Sequence, residues 1–531
     1  MKIATMSQKT PSFAYGADRL TVGKALGIAR GTLPGQLTEP VLERVRANRE
    51  AVARIVAKGE PVYGINTGFG PLCTTRISAD QTSLLQVNIL KSHSVGVGDP
   101  IRGEIARLML ILKLHALSMG HSGVAETTLK RILWHIENEV TPVVPSQGSV
   151  GASGDLAPLA HLFLPLIGLG RVTYQGEVRD TAEVLGKFGM DPLELGPKEG
   201  LALINGTQFI AAHGVSVVEK MQQCLSQADI IGAMMLEGLQ GSLRPFHEEL
   251  HKLRPYPGTR HVAHRVRNLL KGSEILEDHI DCERVQDPYS LRCIPQVHGA
   301  SRTAWLHLKE LLETELNSVT DNPVVIDEEL SISGGNFHGQ PLAMALDYAC
   351  LAASEIGNIS DRRIYLALEG NQTDLPKLLM KDTGLNSGYM MLQYTSAALA
   401  SENKSLCFPA SADSIPTSMG QEDHVSMGSI SGRKALQVLE NVEKIQAVEL
   451  LTAAQAFEYR KPLKSGWFLE KVHGLVRTRV SFAEADRVFA TDIEAGLELI
   501  RSGALIRLLD TVSRKKALSL KTDYDELFET Y

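Results

Sequence analysis

Residues Leu342–Ala353 read LAMALDYACLAA, and Asp347 is the only charged residue in this run. A segment of good helix formers that is apolar nearly all round is typical of a helix buried on several sides. A second segment, Ile101–Met119, repeats apolar residues at the i, i+3, i+4 spacing of one helical face. The residues on that face are Ile105, Leu108, Ile111, Leu112 and His115. Both segments predict long helices that pack against other helices.

Helical patterns cover most of the remaining chain. Three further long segments of this kind are Leu201–Gly238, Arg302–Leu316 and Gly432–Phe457, and Leu342–Ala353 belongs to a longer helical pattern over Gly339–Leu368. Strand patterns are confined to Val172–Tyr174 with Val178 and to Val324–Ile332. We therefore predict an all-α fold whose helices are long enough to build a central bundle.

The composition is that of an ordinary globular protein. The 531 residues include 54 Lys and Arg against 61 Asp and Glu, which gives a net charge of −7. This mildly acidic balance argues against a protein whose main task is to bind nucleic acid. Hydrophobic residues make up 44% and charged residues 22%, so a large core is possible and global disorder is excluded.

Three further features predict a cytoplasmic protein. Residues Met1–Thr10 lack the apolar core of a secretory signal. No window reaches the roughly 18 uninterrupted apolar residues of a membrane span. The six cysteines include no Cys-x-x-Cys pair and are expected to be free thiols in a reducing compartment.

The motif His247-Glu248-Glu249-Leu250-His251 matches a zinc-peptidase pattern. Histidines four residues apart share one helical face and could bind zinc, with Glu248 as general base and Glu274 or Glu277 as third ligand. The alternative is a solvated helix that ends at Arg254-Pro255, within a turn of His251. We favour the second interpretation and predict no metal site.

The loop Ser149–Leu156, with the sequence SVGASGDL, carries the most informative chemistry. One interpretation is a glycine-rich turn in which Ser153 or Asp155 caps the following helix. The other is chemical: in a tight turn the Gly154 nitrogen can approach the Ala152 carbonyl carbon. Ring closure and loss of water, including the Ser153 hydroxyl, would give a conjugated five-membered electrophile made from the chain itself. Proteins usually borrow a cofactor for such electron-sink chemistry.

Six short motifs occur in the order found in one known family. They are Tyr63–Gly70, Gly151–Leu156, Leu203–Thr207, Gln286–Arg292, Asp321–Pro323 and Gly334–His338. From about Tyr63 to Pro462 the chain resembles the aromatic amino acid ammonia-lyases and aminomutases. These enzymes carry 4-methylideneimidazol-5-one (MIO).

The resemblance implies an MIO formed from Ala152-Ser153-Gly154 and no external cofactor. It also implies an N-terminal domain over residues 1–204 that carries the MIO loop and a long-helix bundle over residues 205–531. The expected partner is a second copy of the chain, in a homotetramer whose active sites are shared between subunits.

The same resemblance implies a role for each matching site residue. Tyr63 is expected to remove the β-proton, which requires a phenol pKa below its usual value of about 10. Arg292 is expected to hold the substrate carboxylate in a two-pronged contact. The remaining residues either support MIO or the amine, or line the pocket: Asn205 and Tyr289 in the first group, and His93, Gln286, Phe337 and Gln421 in the second.

Two positions bear on the substrate. Ser92-His93 and Gln421-Glu422-Asp423-His424 resemble the histidine-specific members of the family, whereas phenylalanine and tyrosine enzymes typically place Gln where Glu422 stands. A carboxylate accepts a hydrogen bond from an imidazole N–H, but against a phenyl ring it is a desolvated, unpaired charge. Glu422 therefore predicts elimination of ammonia from L-histidine to give trans-urocanate. Attack of the substrate amine and attack of the ring on the electrophile both remain open.

Several alternatives remain beside this prediction. A tyrosine or phenylalanine ammonia-lyase or a 2,3-aminomutase would use the same scaffold, and a helical assembly could keep the scaffold without catalysis. Three residues depart from the pattern of the histidine enzymes: Gly420 where Asn is common, and His298 and Lys91 where apolar residues are usual. These departures bear on the shape and polarity of the pocket.

Overall fold

The structure is a computed structural model that describes residues 12–59, 61–65, 67–68, 70, 77–78, 81–279, 285–370, 374–516 and 518–531. The described chain is mainly helical, which confirms the predicted all-α fold. None of its helices is long and apolar enough to cross a membrane.

The N-terminal part combines short helices with small sheets. Its helices are α1 (Val22–Ala29), α2 (Glu39–Lys58), α3 (Thr82–His93), α4 (Gly103–Ser118), α5 (Glu126–Glu137), α6 (Leu156–Phe163), α7 (Thr181–Lys187) and α8 (Glu199–Ile204). Its strands are β1 (Phe13–Ala14), β2 (Gly35–Gln36), β3 (Val97–Pro100), β4 (Thr141–Pro142), β5 (Pro145–Gln147), β6 (Arg171–Tyr174) and β7 (Glu177–Asp180). β1 and β2 pair in parallel, whereas β3–β5 and β4–β6–β7 are antiparallel.

The rest of the chain is built on long helices. They are α9 (Gln208–Gly238), α10 (Glu248–Lys252), α11 (Pro257–Leu269), α12 (Glu274–Asp278), α13 (Tyr289–Arg292), α14 (Ile294–Leu316), α15 (Gln340–Glu369), α16 (Met390–Leu406), α17 (Gly428–Glu458), α18 (Trp467–Arg477), α19 (Phe489–Arg501), α20 (Ala504–Lys516) and α21 (Asp525–Phe528). An antiparallel pair, β8 (Val324–Val325) and β9 (Ser331–Ile332), lies between α14 and α15.

Helices α9, α14, α15 and α17 pack against one another as the centre of the bundle. Nearly every residue of α9 is buried, as expected for a helix that is apolar almost all round. Helix α15 has Pro341 in its first turn and is capped by Gly370, whose φ of 70° is the left-handed conformation that glycine adopts at helix ends. The segment predicted as Leu201–Gly238 is interrupted at Asn205–Thr207, which separates α8 from α9.

The C-terminal segment completes a buried ion network in the bundle. Asp229 of α9 is fully buried, and its Oδ2 lies 3.0 Å from Arg265 Nε and 2.7 Å from Arg302 Nη2. Glu529 adds a second carboxylate, whose Oε1 lies 2.8 Å from His261 Nε2 and 3.4 Å from Arg265 Nη1. Burial raises the pKa of Asp229, but Arg302 and Arg265 outweigh it and lower this pKa to about 2.

Candidate active site

The loop around Ser153 forms the tight turn predicted from its small residues. Ser153 and Gly154 have φ values of 49° and 80°, and Gly154 pairs with Gly206 in a parallel bridge. The Gly206 amide donates to the Ser153 carbonyl at 3.3 Å, and the Asp155 amide donates to the Gly206 carbonyl at 2.8 Å. A Cβ on Gly154 would clash with the Gly206 carbonyl. The turn therefore fits the cyclisation chemistry and leaves no space for a larger residue at its third position.

Asp155 anchors this loop to the start of α9. Its carboxylate is fully buried and accepts hydrogen bonds from the Phe209 amide (3.1 Å), the Ile210 amide (3.0 Å) and Ser149 Oγ (3.2 Å). Asp155 occupies the N-cap position of α6, as one interpretation predicted, but its side chain makes no capping hydrogen bond to that helix. Asp155 precedes α6, but its side chain bonds the start of α9, where negative charge is favoured. Burial raises the pKa of Asp155 to about 7, although the three hydrogen bonds to its carboxylate act to lower this pKa.

Asn205 lies directly beside the Ser153 turn. Its Nδ2 donates to the Asn322 carbonyl at 2.9 Å and to Asp321 Oδ1 at 3.4 Å. Its Oδ1 is buried and has no hydrogen-bond partner among the described residues. A buried acceptor without a donor is costly, so this atom is suited to receive an N–H from a bound molecule.

Two lysines that the sequence motifs did not assign to the site lie beneath Asn205. Lys113 Nζ donates to the Asn205 carbonyl, and Lys198 Nζ lies 2.5 Å from Asp321 Oδ2. Lys113 is fully buried, and burial lowers its pKa to about 8. The sequence signal for Lys113 was its position as a lone cation in the apolar middle of α4.

Glu422 faces the same turn from the other side. Its Oε1 accepts a hydrogen bond from Ser153 Oγ at 3.0 Å. Its Oε2 accepts hydrogen bonds from Thr417 Oγ1 at 2.9 Å and from Ser418 Oγ at 3.0 Å. Burial lowers the pKa of His93, and the nearby charge of Glu422 opposes this shift. Ser153, His93 and Glu422 are therefore neighbours, as the resemblance implies.

Tyr63 lies on the Glu422 side of this group. Its phenolic oxygen accepts a hydrogen bond from the Gly70 amide at 3.3 Å. A Cβ on Gly70 would lie 3.9 Å from Ser418 Oγ, so Gly70 and Ser418 are adjacent. The chain thus places the proposed base near the carboxylate that faces Ser153.

Gln421 and Phe337 lie at the outer edge of this group. Gln421 is exposed and precedes Glu422, whereas Phe337 is partly buried. His338, next to Phe337, bonds the His424 carbonyl through Nε2 at 3.1 Å. This contact holds the segment carrying Phe337 beside the segment carrying Gln421.

Gln286, Tyr289 and Arg292 form a second, separate group. Tyr289 is 71% exposed, and the Arg292 guanidinium carbon lies 4.4 Å from the centroid of its ring. Gln286 lines a cavity of about 920 Å³ between the ends of α9 and α12. The Ser290 carbonyl accepts a hydrogen bond from Arg363 Nη1 at 3.4 Å, which fixes α13 beside α15.

The two groups lie near opposite ends of α15. The Ser153 loop is next to the start of α15, because a Cβ on either Gly151 or Gly339 would contact Ser426 Oγ. Arg363, which contacts α13, lies 23 residues beyond Gln340. At 1.5 Å per residue this is about 35 Å along the helix. One chain therefore brings Tyr63, His93, Ser153, Asn205 and Glu422 together and leaves Tyr289 and Arg292 far from them.

The zinc interpretation of the His247–His251 motif does not fit the local geometry. His247 precedes α10 and accepts a hydrogen bond from the Glu249 amide at Nδ1, so the two histidines do not share a helical face. His251 Nε2 bonds the Pro245 carbonyl at 2.9 Å. Within the part of the chain that the structure describes, no three His, Cys, Asp or Glu side chains are grouped for a metal ion.

The three residues that depart from the family pattern lie in different places. Gly420 has a φ of 87° and follows Ser418 in the loop that holds Glu422. Glycine and asparagine both tolerate this conformation, so replacing Asn by Gly keeps the turn. His298 is buried in the bundle with Nδ1 2.9 Å from Asp229 Oδ1, and Lys91 is exposed on α3.

Comparison with known proteins agrees with these observations. A family model described as aromatic amino acid lyase matches residues 20–478. The histidine ammonia-lyase of Sorangium cellulosum (strain So ce56) is 49% identical over 494 residues, which are 91% of this chain and 96% of that protein. The crystal structure of histidine ammonia-lyase from Trypanosoma cruzi is 41% identical with a TM-score of 0.87 and covers 94% of this chain and 95% of that one. Tyrosine aminomutase from Streptomyces globisporus is 35% identical with a TM-score of 0.90, over 96% of this chain and 100% of that one.

Proposed function

The chain belongs to the aromatic amino acid lyase family, and we propose that it eliminates ammonia from L-histidine to give trans-urocanate. It is a carbon–nitrogen lyase of the kind that its motifs predict. The observation that carries the choice of histidine is the Glu422 carboxylate, 3.0 Å from the hydroxyl of Ser153.

We propose that Ala152-Ser153-Gly154 cyclises to MIO without an external cofactor. The left-handed turn, the Gly154–Gly206 bridge and the lack of space for a Cβ support this proposal. The ring, once formed, supplies an electrophile that makes the substrate amine a better leaving group. The Gly206 amide, which donates to the Ser153 carbonyl, is placed to stabilise negative charge on that oxygen.

Glu422 selects the ring of the substrate. An imidazole N–H can donate to Oε1, the oxygen that faces the Ser153 loop, and a charge-assisted bond of this kind is strong. A phenyl ring would leave the same carboxylate desolvated and without a donor, which costs several kcal/mol. His93 stands beside Glu422, and Gln421 and Phe337 close the outer edge of the pocket.

The remaining steps concern the proton, the amine and the substrate carboxylate. We assign removal of the β-proton to the Tyr63 phenol and binding of the amine to Asn205 Oδ1, which is buried without a donor of its own. Arg292 is suited to a two-pronged contact with a carboxylate. Tyr289 stacks on Arg292, and Gln286 lies on the same segment.

The distance between the two groups of residues supports a shared active site. The α13 segment, which carries Tyr289 and Arg292, contacts α15 at Arg363, about 35 Å along that helix from the end near the Ser153 loop. The proposed site therefore needs Gln286, Tyr289 and Arg292 from another subunit. We propose that the assembly is a homotetramer, as in the family that the chain resembles, and that it is cytoplasmic. The proposed division into residues 1–204 and 205–531 falls at the Asn205 turn, between α8 and α9.

A histidine assay with intact-mass measurement tests the proposal. We expect the purified protein to convert L-histidine to urocanate, with far less product from tyrosine or phenylalanine. Its mass should be lower than the sequence mass by two water molecules, and Ser153→Ala should abolish both the mass difference and turnover.

Ser502→Ala is the matched control, because Ser502 lies at an exposed helix end and, among the described residues, its Oγ bonds the carbonyl of Leu499 alone. It should keep the mass difference and the activity. An active protein with the full sequence mass would contradict the proposed MIO, and coumarate from tyrosine or a β-amino acid as main product would point to the sibling activities.

A further inference from the structure

We infer that Thr417 and Ser418 are positioning residues for substrate specificity, because their hydroxyls hold the Glu422 carboxylate with one oxygen turned toward the substrate ring. This inference rests on the proposed function and extends it to residues that the sequence analysis left unassigned. It assigns them no direct contact with the substrate.

The geometry divides the Glu422 carboxylate into two halves. Oε2 accepts from both hydroxyls, Thr417 Oγ1 at 2.9 Å and Ser418 Oγ at 3.0 Å. Oε1 accepts from Ser153 Oγ at 3.0 Å. When Ser153 gives up its hydroxyl during ring formation, Oε1 loses that donor, whereas Oε2 keeps both of its own. The imidazole N–H of the substrate is then the natural donor for Oε1.

The backbone of this segment is built to bring the two hydroxyls to one oxygen. Thr417 and Glu422 form an isolated antiparallel bridge, with the Thr417 amide 2.9 Å from the Glu422 carbonyl. Between them, Ser418, Met419 and Gly420 have φ values of 50°, 55° and 87°. Two successive non-glycine residues in the left-handed region are costly and are found mostly where the surrounding structure requires them.

The hydroxyls of Thr417 and Ser418 give the Glu422 side chain a fixed conformation, which an isolated surface carboxylate lacks. A glutamate side chain has three rotatable bonds, and half-exposed examples sample several rotamers. Two donors on one oxygen fix the plane of the carboxylate and compensate for its partial burial. The loop thereby orders the acceptor before the substrate arrives, which lowers the entropic cost of binding.

Removal of the hydroxyls without a change of shape tests the inference. We expect Thr417→Val and Ser418→Ala each to lower kcat/KM for L-histidine about tenfold, mainly by raising KM, because Glu422 contacts the ring before and during reaction. Thr417→Ser keeps the hydroxyl and should restore activity close to wild type. The intact mass of each variant should still be lower by two waters, which separates this effect from a failure of ring formation.

A double-mutant cycle separates positioning from general loss of structure. If Thr417 acts through Glu422, then adding Thr417→Val to Glu422→Gln should cost little beyond Glu422→Gln alone. A purely structural role would give the same fold loss in both backgrounds. Thr511→Val is the matched control and should change nothing, since Thr511 lies on the exposed face of α20 and its Oγ1 bonds the Arg507 carbonyl alone within the described part of the chain.

The outcomes are distinguishable from failure of the proposed function. A wild-type protein that leaves histidine untouched overturns the function itself and the inference with it. A wild-type protein that turns over histidine, with unchanged KM in Thr417→Val and Ser418→Ala, overturns the inference alone. Additive losses in the cycle, or no rescue by Thr417→Ser, also overturn it.

Discussion

At the scale of single residues, the Glu422 side chain contributes both the space that it fills and the negative charge of its carboxylate. A glutamine at this position would keep nearly the same shape, and its single amide oxygen could still accept from Thr417 and Ser418 while its NH2 group faces Ser153. It would lose the negative charge that makes a bond from an imidazole N–H strong. The charge of Glu422 can therefore be tested separately from the space that its side chain fills.

Glu422→Gln is expected to lower kcat/KM for L-histidine about 10- to 100-fold, the range for loss of a charge-assisted hydrogen bond. The folded stability should change little, because the side chain keeps its size. Steady-state kinetics of urocanate formation and a thermal melt measure the two effects. Glu494→Gln, on the exposed face of α19, is the control. Unchanged histidine kinetics in Glu422→Gln would remove the argument that this charge selects the substrate.

At the scale of elements, two turns from distant parts of the chain support each other. The Ser153 turn precedes α6 and the Asn205 turn separates α8 from α9, and the Gly154–Gly206 bridge joins them. Gly206 has a φ of 132°, which lies outside the region open to other residues. A Cβ there would lie 2.6 Å from Gln208 Oε1 and 2.8 Å from Thr320 Oγ1.

Gly206→Ala should therefore disrupt the paired turns. We expect a loss of stability on the order of 2 kcal/mol or more from strain and crowding, together with incomplete loss of the two waters. Thermal melts and intact mass check these outcomes. Gly186→Ala in α7 meets nothing within 4 Å and should be neutral or slightly stabilising. A fully dehydrated, fully stable Gly206→Ala protein would show that the turn does not need glycine.

Local sequence patterns predicted the helices, but the contacts between distant segments could be identified only from the structure. The periodicity of Leu342–Ala353 and Ile101–Met119 predicted α15 and α4 because helical spacing is a property of neighbouring residues. The motifs selected Ser153 and Glu422 as candidate site residues, and the structure places their side chains 3.0 Å apart. Nothing local linked Thr417 to Glu422 Oε2, or Lys113 to the Asn205 carbonyl, since these bonds depend on how loops and helices pack.

At the scale of the whole molecule, α15 separates the two groups of residues that we propose form the active site. The Ser153 loop lies by its start and the α13 segment lies far along its length, about 35 Å away. Symmetric oligomers can bring unlike surfaces of identical chains together. A site shared in this way makes activity a property of the assembly.

Mixing two inactive variants tests the shared site. Ser153→Ala and Arg292→Ala should each be inactive alone, because each lacks one half of every site. Tetramers co-assembled from equal amounts should regain up to about one quarter of wild-type activity, since some sites combine an intact Ser153 loop with an intact Arg292. Absorbance at the urocanate band measures the recovery. Persistent inactivity of well-formed mixed tetramers would argue that each site lies within one chain.

The ion network of the C-terminal segment predicts an acid-sensitive bundle. The pKa of Asp229 is about 2 in the fold against an ordinary value of 3.8, and Arg265 and Arg302 also hold the pKa of Glu529 well below its usual range. A carboxyl group whose folded pKa is lowered contributes stability above its unfolded pKa and loses it as the pH falls. Stability on the order of 2 kcal/mol from Asp229 should therefore disappear between about pH 4 and pH 2.

Glu529→Gln should destabilise the protein by about 3–5 kcal/mol at neutral pH, because it leaves buried guanidinium charge uncompensated. It should also flatten the loss of stability below pH 4. Denaturant unfolding at several pH values measures both effects. Glu526→Gln changes an exposed carboxylate of α21, the short helix that directly precedes Glu529, and should have no effect. An equal pH slope in Glu529→Gln and the parent protein would contradict the role of this network.

The hydrogen bonds that Asp155 accepts from the amides of Phe209 and Ile210 also set an order of events in time. The Ser153 loop is held in its turn by residues that leave the ribosome more than fifty positions later, and only once they have coiled into the first turn of α9. A chain that misfolds keeps its hydroxyl and its full mass. Under the proposed chemistry, the electrophile therefore forms only after α9 has folded against the Ser153 loop. Misfolded chains would not carry the reactive group.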